Sequence, residues 1–188
     1  MATPTTTASG PAIGFIESRS IAKGIEAADA MLKRAAVELL MTTIVPRGKY
    51  LIMVGGAVGD VEQAMIAGLE TVGKSLVDHF TIPNAHPQLP PAIKGRVKVG
   101  DIEAVGIIET SEVAPAIYAG DAAAKAASVR LIEARNQPGA KGLVVVTGEV
   151  GAVRSAVAAG VATVKDGMLV AEIVIPYAHK ALLNSLIS

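Results

Sequence analysis

The sequence has no cysteine. That excludes disulfides, thiolate metal sites, cysteine nucleophiles and any iron–sulfur cluster held by the chain's own thiolates. It has no tryptophan, and aromatic residues make up 3% of 188 positions, too few for the stacking platforms that hold single-stranded nucleic acid. Neither sign of charge is in excess. Lys plus Arg (17) balances Asp plus Glu (17), so no net basic field steers the chain onto nucleic acid. Long apolar runs are missing too. A spanning helix needs about 18 consecutive apolar residues, and the best runs here are short, 50–59 stopping at Asp60 and 142–148 at Glu149. The N-terminus lacks the basic-then-apolar layout of a secretory signal. The expectation is a chain with neither nucleic-acid nor membrane partners.

What is present is an unusual apolar excess. Hydrophobic residues reach 51% and charged residues only 18%, against about 25% charged in ordinary globular domains. Mean hydropathy is +0.49. Without a membrane span, such a chain is expected to bury additional surface against copies of itself. Much of the excess is alanine, which suits close-packed helices.

An internal repeat sets the architecture. Ala12-Ile13-Gly14-Phe15-Ile16-Glu17 matches Ala104-Val105-Gly106-Ile107-Ile108-Glu109 at an offset of 92. The same offset pairs Ile25 with Ile117, Asp29 with Asp121, Lys33 with Lys125, Pro46 with Pro138, Lys49 with Lys141 and Gly68 with Gly160. After one inserted residue, Ile82-Pro83-Asn84-Ala85-His86 matches Ile175-Pro176-Tyr177-Ala178-His179 at an offset of 93. The chain reads as two copies of one domain. Each copy has a short apolar strand (12–17, 104–109) and a capping serine, Ser20 or Ser111, before an Ala-rich helix (21–35, 112–127). Strands at 37–44 and 50–54, or 129–134 and 143–147, flank a Pro/Gly loop. A helix (58–72, 150–164), a fourth strand ending in Ile-Pro and a short helix complete the copy. The fold class is α+β, two tandem ferredoxin-like β-α-β-β-α-β units. Residues 1–11 read as a disordered arm, 12–90 as the first domain, 91–103 as a linker after Pro90, and 104–188 as the second domain.

Few residues suggest chemistry. The turn Val54-Gly55-Gly56-Ala57-Val58-Gly59-Asp60 lacks the Lys-Ser/Thr of a phosphate loop, so its glycines read as serving the turn and close helix packing. His86 and His179 lack neighbours at metal-ligand spacing and read as structural. Catalytic carboxylates differ in environment. Glu17 with Glu109, and Asp29 with Asp121, instead repeat between copies, which points to fold or interface roles. Lys33 and Lys125 suit an interface edge, with long apolar stems. The two Pro/Gly loops diverge most, Thr43-Ile44-Val45-Pro46-Arg47-Gly48-Lys49 against Arg135-Asn136-Gln137-Pro138-Gly139-Ala140-Lys141. Divergence within a preserved scaffold marks a place where function is carried.

These residues resemble the bacterial microcompartment shell family. The likeness rests on the opening strand, on Ala27-Ala28-Asp29-Ala30-Met31-Leu32-Lys33, on Gly148-Glu149-Val150-Gly151-Ala152-Val153 and on Ile-Pro-x-x-His, in the same order twice. Both copies start with the Gly-x-Ile-Glu strand, so the order is similar to the unpermuted, tandem-domain, trimer-forming class. The resemblance implies a homotrimer that mimics a hexamer, tiles edge to edge with other shell proteins and lies in the shell of a cytoplasmic compartment. It places Lys33 and Lys125 at tile edges. It places Val45, Pro46, Arg47, Gly48, Gln137, Pro138, Gly139 and Ala140 at the central pore. Propanediol-type members hold an iron–sulfur cluster in the pore through a loop cysteine. No cofactor is expected here, because the stretch reads Val45-Pro46-Arg47-Gly48. Many members also have Arg after the Ile-Pro, where this chain has Asn84 and Tyr177. A ring of Arg47, aided by Lys49, is expected to favour small anionic metabolites. No catalytic constellation is legible, so an enzyme is not expected. The competing reading is a ferredoxin-like regulatory protein that binds a small molecule.

Overall fold

A computed structural model describes residues 11–100 and 102–179. The first copy runs β1 (Ala12–Ser18), α1 (Ile21–Arg34), β2 (Glu38–Val45), β3 (Lys49–Gly56), α2 (Val58–Val72) and β4 (Leu76–Ile82). After a short helix α3 (Leu89–Lys94), the second runs β5 (Ala104–Thr110), α4 (Val113–Ala126), β6 (Arg130–Gln137), β7 (Lys141–Gly148), α5 (Val150–Val161) and β8 (Leu169–Pro176). Each copy forms an antiparallel four-stranded sheet, ordered β2-β3-β1-β4 and β6-β7-β5-β8. This is the ferredoxin-like arrangement the repeat predicts. Helix α3 crosses position 90, where the sequence suggests that the first domain ends. Residues 1–10, which carry most of the expected arm, and the helix expected after His179 lie outside the described residues.

Local signals account for most boundaries. The Ser20 hydroxyl accepts the Lys23 N–H at 3.3 Å and caps α1. Ser111 does not repeat this. Glu112 holds the cap position of α4 without a side-chain bond, while Thr110 Oγ1 donates to the Glu112 carbonyl at 2.6 Å. Strand β6 runs three residues beyond its expected end, because Arg135, Asn136 and Gln137 pair with Leu143, Gly142 and Lys141. The Gly55–Gly56 turn is a packing feature: a Cβ on Gly55 would lie 3.0 Å from Leu40. At the equivalent turn the Glu149 carboxylate accepts the N–H groups of Gly151 and Ala152 at 2.9 and 3.0 Å. These two bonds hold its pKa below the usual carboxylate range.

The two sheets differ in what covers them. In the first domain Ile16, Ile52 and Val54 face α1 and α2, packing on Ala27, Met31 and Ala64. The opposite face carries Ile13, Phe15, Leu51, Met53 and Phe80, and joins α3 and α4 in one continuous core. Phe15 stacks on Phe80 at 4.8 Å, and Phe80 meets Tyr118 of α4 at 4.6 Å. In the second domain α4 and α5 cover one face, while a small cluster around Val105, Ile132 and Val145 lines the other. Among the described residues, no helix is long and apolar enough to cross a membrane.

Candidate functional site

The two divergent loops are short hairpin ends with one shared backbone. Pro46 and Pro138 open them, and two left-handed residues follow: Arg47 (φ 68°) and Gly48 (φ 70°), then Gly139 (φ 88°) and Ala140 (φ 65°). Each loop thus carries one glycine and one residue with a Cβ at positive φ, in opposite order. That conformation costs an L-residue about 1–2 kcal/mol. The hairpin between β2 and β3 imposes this conformation on Arg47 at the loop's exposed end.

The fold brings the loops together. A cleft of about 280 Å³ between the domains is lined by Val45, Pro46 and Arg47 from one loop and by Gly139 and Ala140 from the other. Glu17, Lys49, Leu51, Ser111, Glu112 and Val113 complete it. Gly48, Gln137 and Pro138 of the expected set are not on its wall. Arg47 is exposed and makes no ion pair among the described residues. Lys49 differs from expectation. Its Nζ lies 2.7 Å from Glu17 Oε1, and the Glu17 side chain is 9% exposed, so it adds no net charge to the loop. Lys141 pairs with Glu109 in the same way. The repeated glutamates are therefore counterions of the repeated lysines.

Beside the second loop lies a group that sequence reading passed over. Glu133, 1% exposed, accepts Arg96 Nε and Arg135 Nε at 2.9 Å each, and Gln137 Nε2 at 2.5 Å. Burial pushes its pKa up, but the bonds from Arg135 and Arg96 prevail and hold it below the usual range. The signal was available, because Glu133 occupies the repeat position of Met41. A carboxylate buried where the first copy has a partly buried methionine needs partners.

Lys33 and Lys125 lie on α1 and α4, away from the cleft, and each pairs one turn back, with Asp29 at 2.6 Å and Asp121 at 2.5 Å. The Lys33–Asp29 pair is exposed, and such a pair contributes at most about 0.5 kcal/mol, whereas the Asp121 carboxylate is buried. Asp121 does more. Its Oδ1 accepts the His86 N–H at 2.7 Å, tying the end of the first domain to α4. The His86 ring accepts the Gln88 N–H at 3.3 Å, as befits a turn residue.

The BMC domain model matches this chain twice, over residues 12–85 and 104–178. The chain belongs to the BMC domain family. It is a microcompartment shell protein of the tandem type. The bacterial microcompartment shell protein PduT of Citrobacter freundii is 43% identical over 94% of this chain and 97% of its own length. The crystal structure of a microcompartment protein from Desulfitobacterium hafniense, 44% identical, superposes with a TM-score of 0.88 over 93% of this chain and 99% of that one. The carboxysome shell protein CsoS1 of Prochlorococcus marinus is 47% identical over 45% of this chain and 84% of its own length. One CsoS1 therefore corresponds to about half of this shell protein.

Proposed function

We propose that this shell protein forms a homotrimeric ring of six domains that tiles with other shell proteins around a cytoplasmic compartment, a structural role without catalysis. The observation that supports the ring is an imbalance between repeat-equivalent residues. Ile117 on α4 is fully buried in the core shared with the first sheet, while its counterpart Ile25 on α1 is 53% exposed. Phe80 on the first sheet is 9% exposed beneath Tyr118, and its counterpart Ile173 on the second sheet is 49% exposed. Each chain thus has one helix face with no sheet against it and one sheet face with no helix against it. Placing α1 of the next chain on the second sheet repeats the contact already made inside the chain. A head-to-tail contact of this type closes into a ring when its rotation allows. Three chains of 19.1 kDa give 3 × 19.1 = 57.3 kDa. Light scattering on a sizing column should return that mass or its double, and a persistent monomer or dimer would remove the ring.

In such a ring the cleft loops surround the axis as the central pore, and Lys33 and Lys125 lie at the tile edges. Arg47 is the charge offered to a passing solute. Glu17 neutralises Lys49, and Glu112 stands on the opposite cleft wall. Selection of small anionic metabolites therefore rests on three Arg47 side chains. In assembled shells, Arg47→Ala should abolish the preference for anionic over neutral probes. Because Glu112 remains, cations should then pass more readily. An unchanged anion preference would exclude the charged ring.

A further inference from the structure

Helix α3 points to a second contact between chains, one that rests on the ring reading. Leu89, Ala92 and Ile93 are at most 1% exposed in the core they share with Leu131 of β6, itself 1% exposed. The repeat counterpart of Leu131 is Leu39. The two occupy equivalent register, Leu131 opposite Val146 and Leu39 opposite Val54. Yet Leu39 is 38% exposed. Beside it on α1, Leu32 is 42% exposed, where its counterpart Ala124 is 5% exposed. Leu39 and Leu32 are thus left exposed on β2 and α1, and among the described residues no equivalent of α3 covers the groove between these elements.

The sequence after the second domain carries that equivalent. At the offset of 93, Leu182 and Leu186 stand where Leu89 and Ile93 stand, and His179 precedes them as His86 precedes α3. Residues 180–188 lie outside the described residues. Helix α3 covers the domain that follows its own, and in the proposed ring the domain beside the second one belongs to another chain. We infer that residues 180–188 dock in the α1–β2 groove of the neighbouring copy, with Leu182 and Leu186 covering its Leu39. Inside the chain the Gln88 side chain also clamps the β6 edge, donating to the Val129 carbonyl at 3.0 Å and accepting the Leu131 N–H at 2.8 Å. The counterpart of Gln88 is Ala181, which has no amide to offer.

Because the chain has no cysteine, introduced ones report without background. Full-length chains carrying Leu39→Cys and differently tagged chains carrying Leu186→Cys would be co-expressed and oxidised with copper phenanthroline. A disulfide joining the two tags is expected on a non-reducing gel. Intact trimers without that cross-link, or a doubly substituted chain that cross-links only to itself, would overturn the contact and leave the ring standing. A monomeric parent chain, visible separately by light scattering, would overturn both. The pair Leu182→Ser and Leu186→Ser should raise the concentration at which trimers dissociate by roughly tenfold or more. An unchanged dissociation would also overturn it.

Discussion

Arg47 and Ala140 hold the same strained conformation in sister loops, but only Arg47 carries charge there. Replacing Ala140 with glycine should relieve part of that strain and stabilise the fold by about 0.5–1 kcal/mol, measurable in urea unfolding. Arg47→Ala keeps a Cβ at positive φ, so stability should change by less than about 0.5 kcal/mol. A change in anion flux in that variant would then report charge rather than unfolding. Glu133 is the opposite kind of residue, buried and doubly paired. Glu133→Ala leaves Arg96 and Arg135 without this partner and should cost about 3 kcal/mol. Its pKa is lowered in the folded chain. Its stabilisation is therefore full above the unfolded carboxylate pKa and is lost as pH falls through the folded value. The wild-type chain should lose more stability on acidification than Glu133→Gln, and parallel pH profiles would show that the network carries no linkage.

Helix packing explains the repeated glycines at the scale of elements. A Cβ on Gly160 of α5 would lie 2.6 Å from Ile108 and 2.8 Å from the Ala119 carbonyl oxygen. Backbone cannot swing aside as a side chain does, so Gly160→Ala should cost about 1–3 kcal/mol by overpacking. The counterpart Gly68 would meet side chains, Ile16 and Met31 at 2.7 Å, which can rotate. Gly68→Ala should therefore cost less, and equal losses in thermal unfolding would refute that distinction. The pair of α1 and α4 shows the same logic in reverse. Gly24 on α1 leaves room for Tyr50, whereas Ala116 on α4 is matched by Gly142, where a Cβ would lie 2.4 Å away. The copies exchange the large and small partners and keep the spacing between helix and strand.

The whole molecule is a repeat whose second interface is left open. Its consequence is a contrast between two substitutions at one repeat position. Ile117→Ala empties a closed core and should cost about 3 kcal/mol of folding stability. Ile25→Ala should leave chain folding nearly unchanged and shift the proposed trimer toward monomer. Denaturant melts and light scattering, run side by side, separate the two effects. Equal folding losses with an unchanged mass in both variants would refute the assignment of Ile25 to a contact between chains.

The offset of 92, the paired Ile-Pro-x-x-His motifs and the strand and helix periodicities were sufficient for the tandem ferredoxin-like fold and for the family. These are local patterns and self-comparison, which a chain carries in one dimension. Sequence also located the two divergent loops by the same comparison. It could not tell that Glu17 neutralises Lys49, that Glu112 rather than Ser111 opens α4, or that Glu133 gathers Arg96 and Arg135. Those pairings join groups brought near one another by sheet register and by the docking of one domain on the other. Docking also buries one of two repeat-equivalent helices against the sheet of the other domain. Ile25 and Ile117 have the same side chain at one repeat position, and the sheet that comes to lie beside Ile117 makes it core while Ile25 stays at the surface.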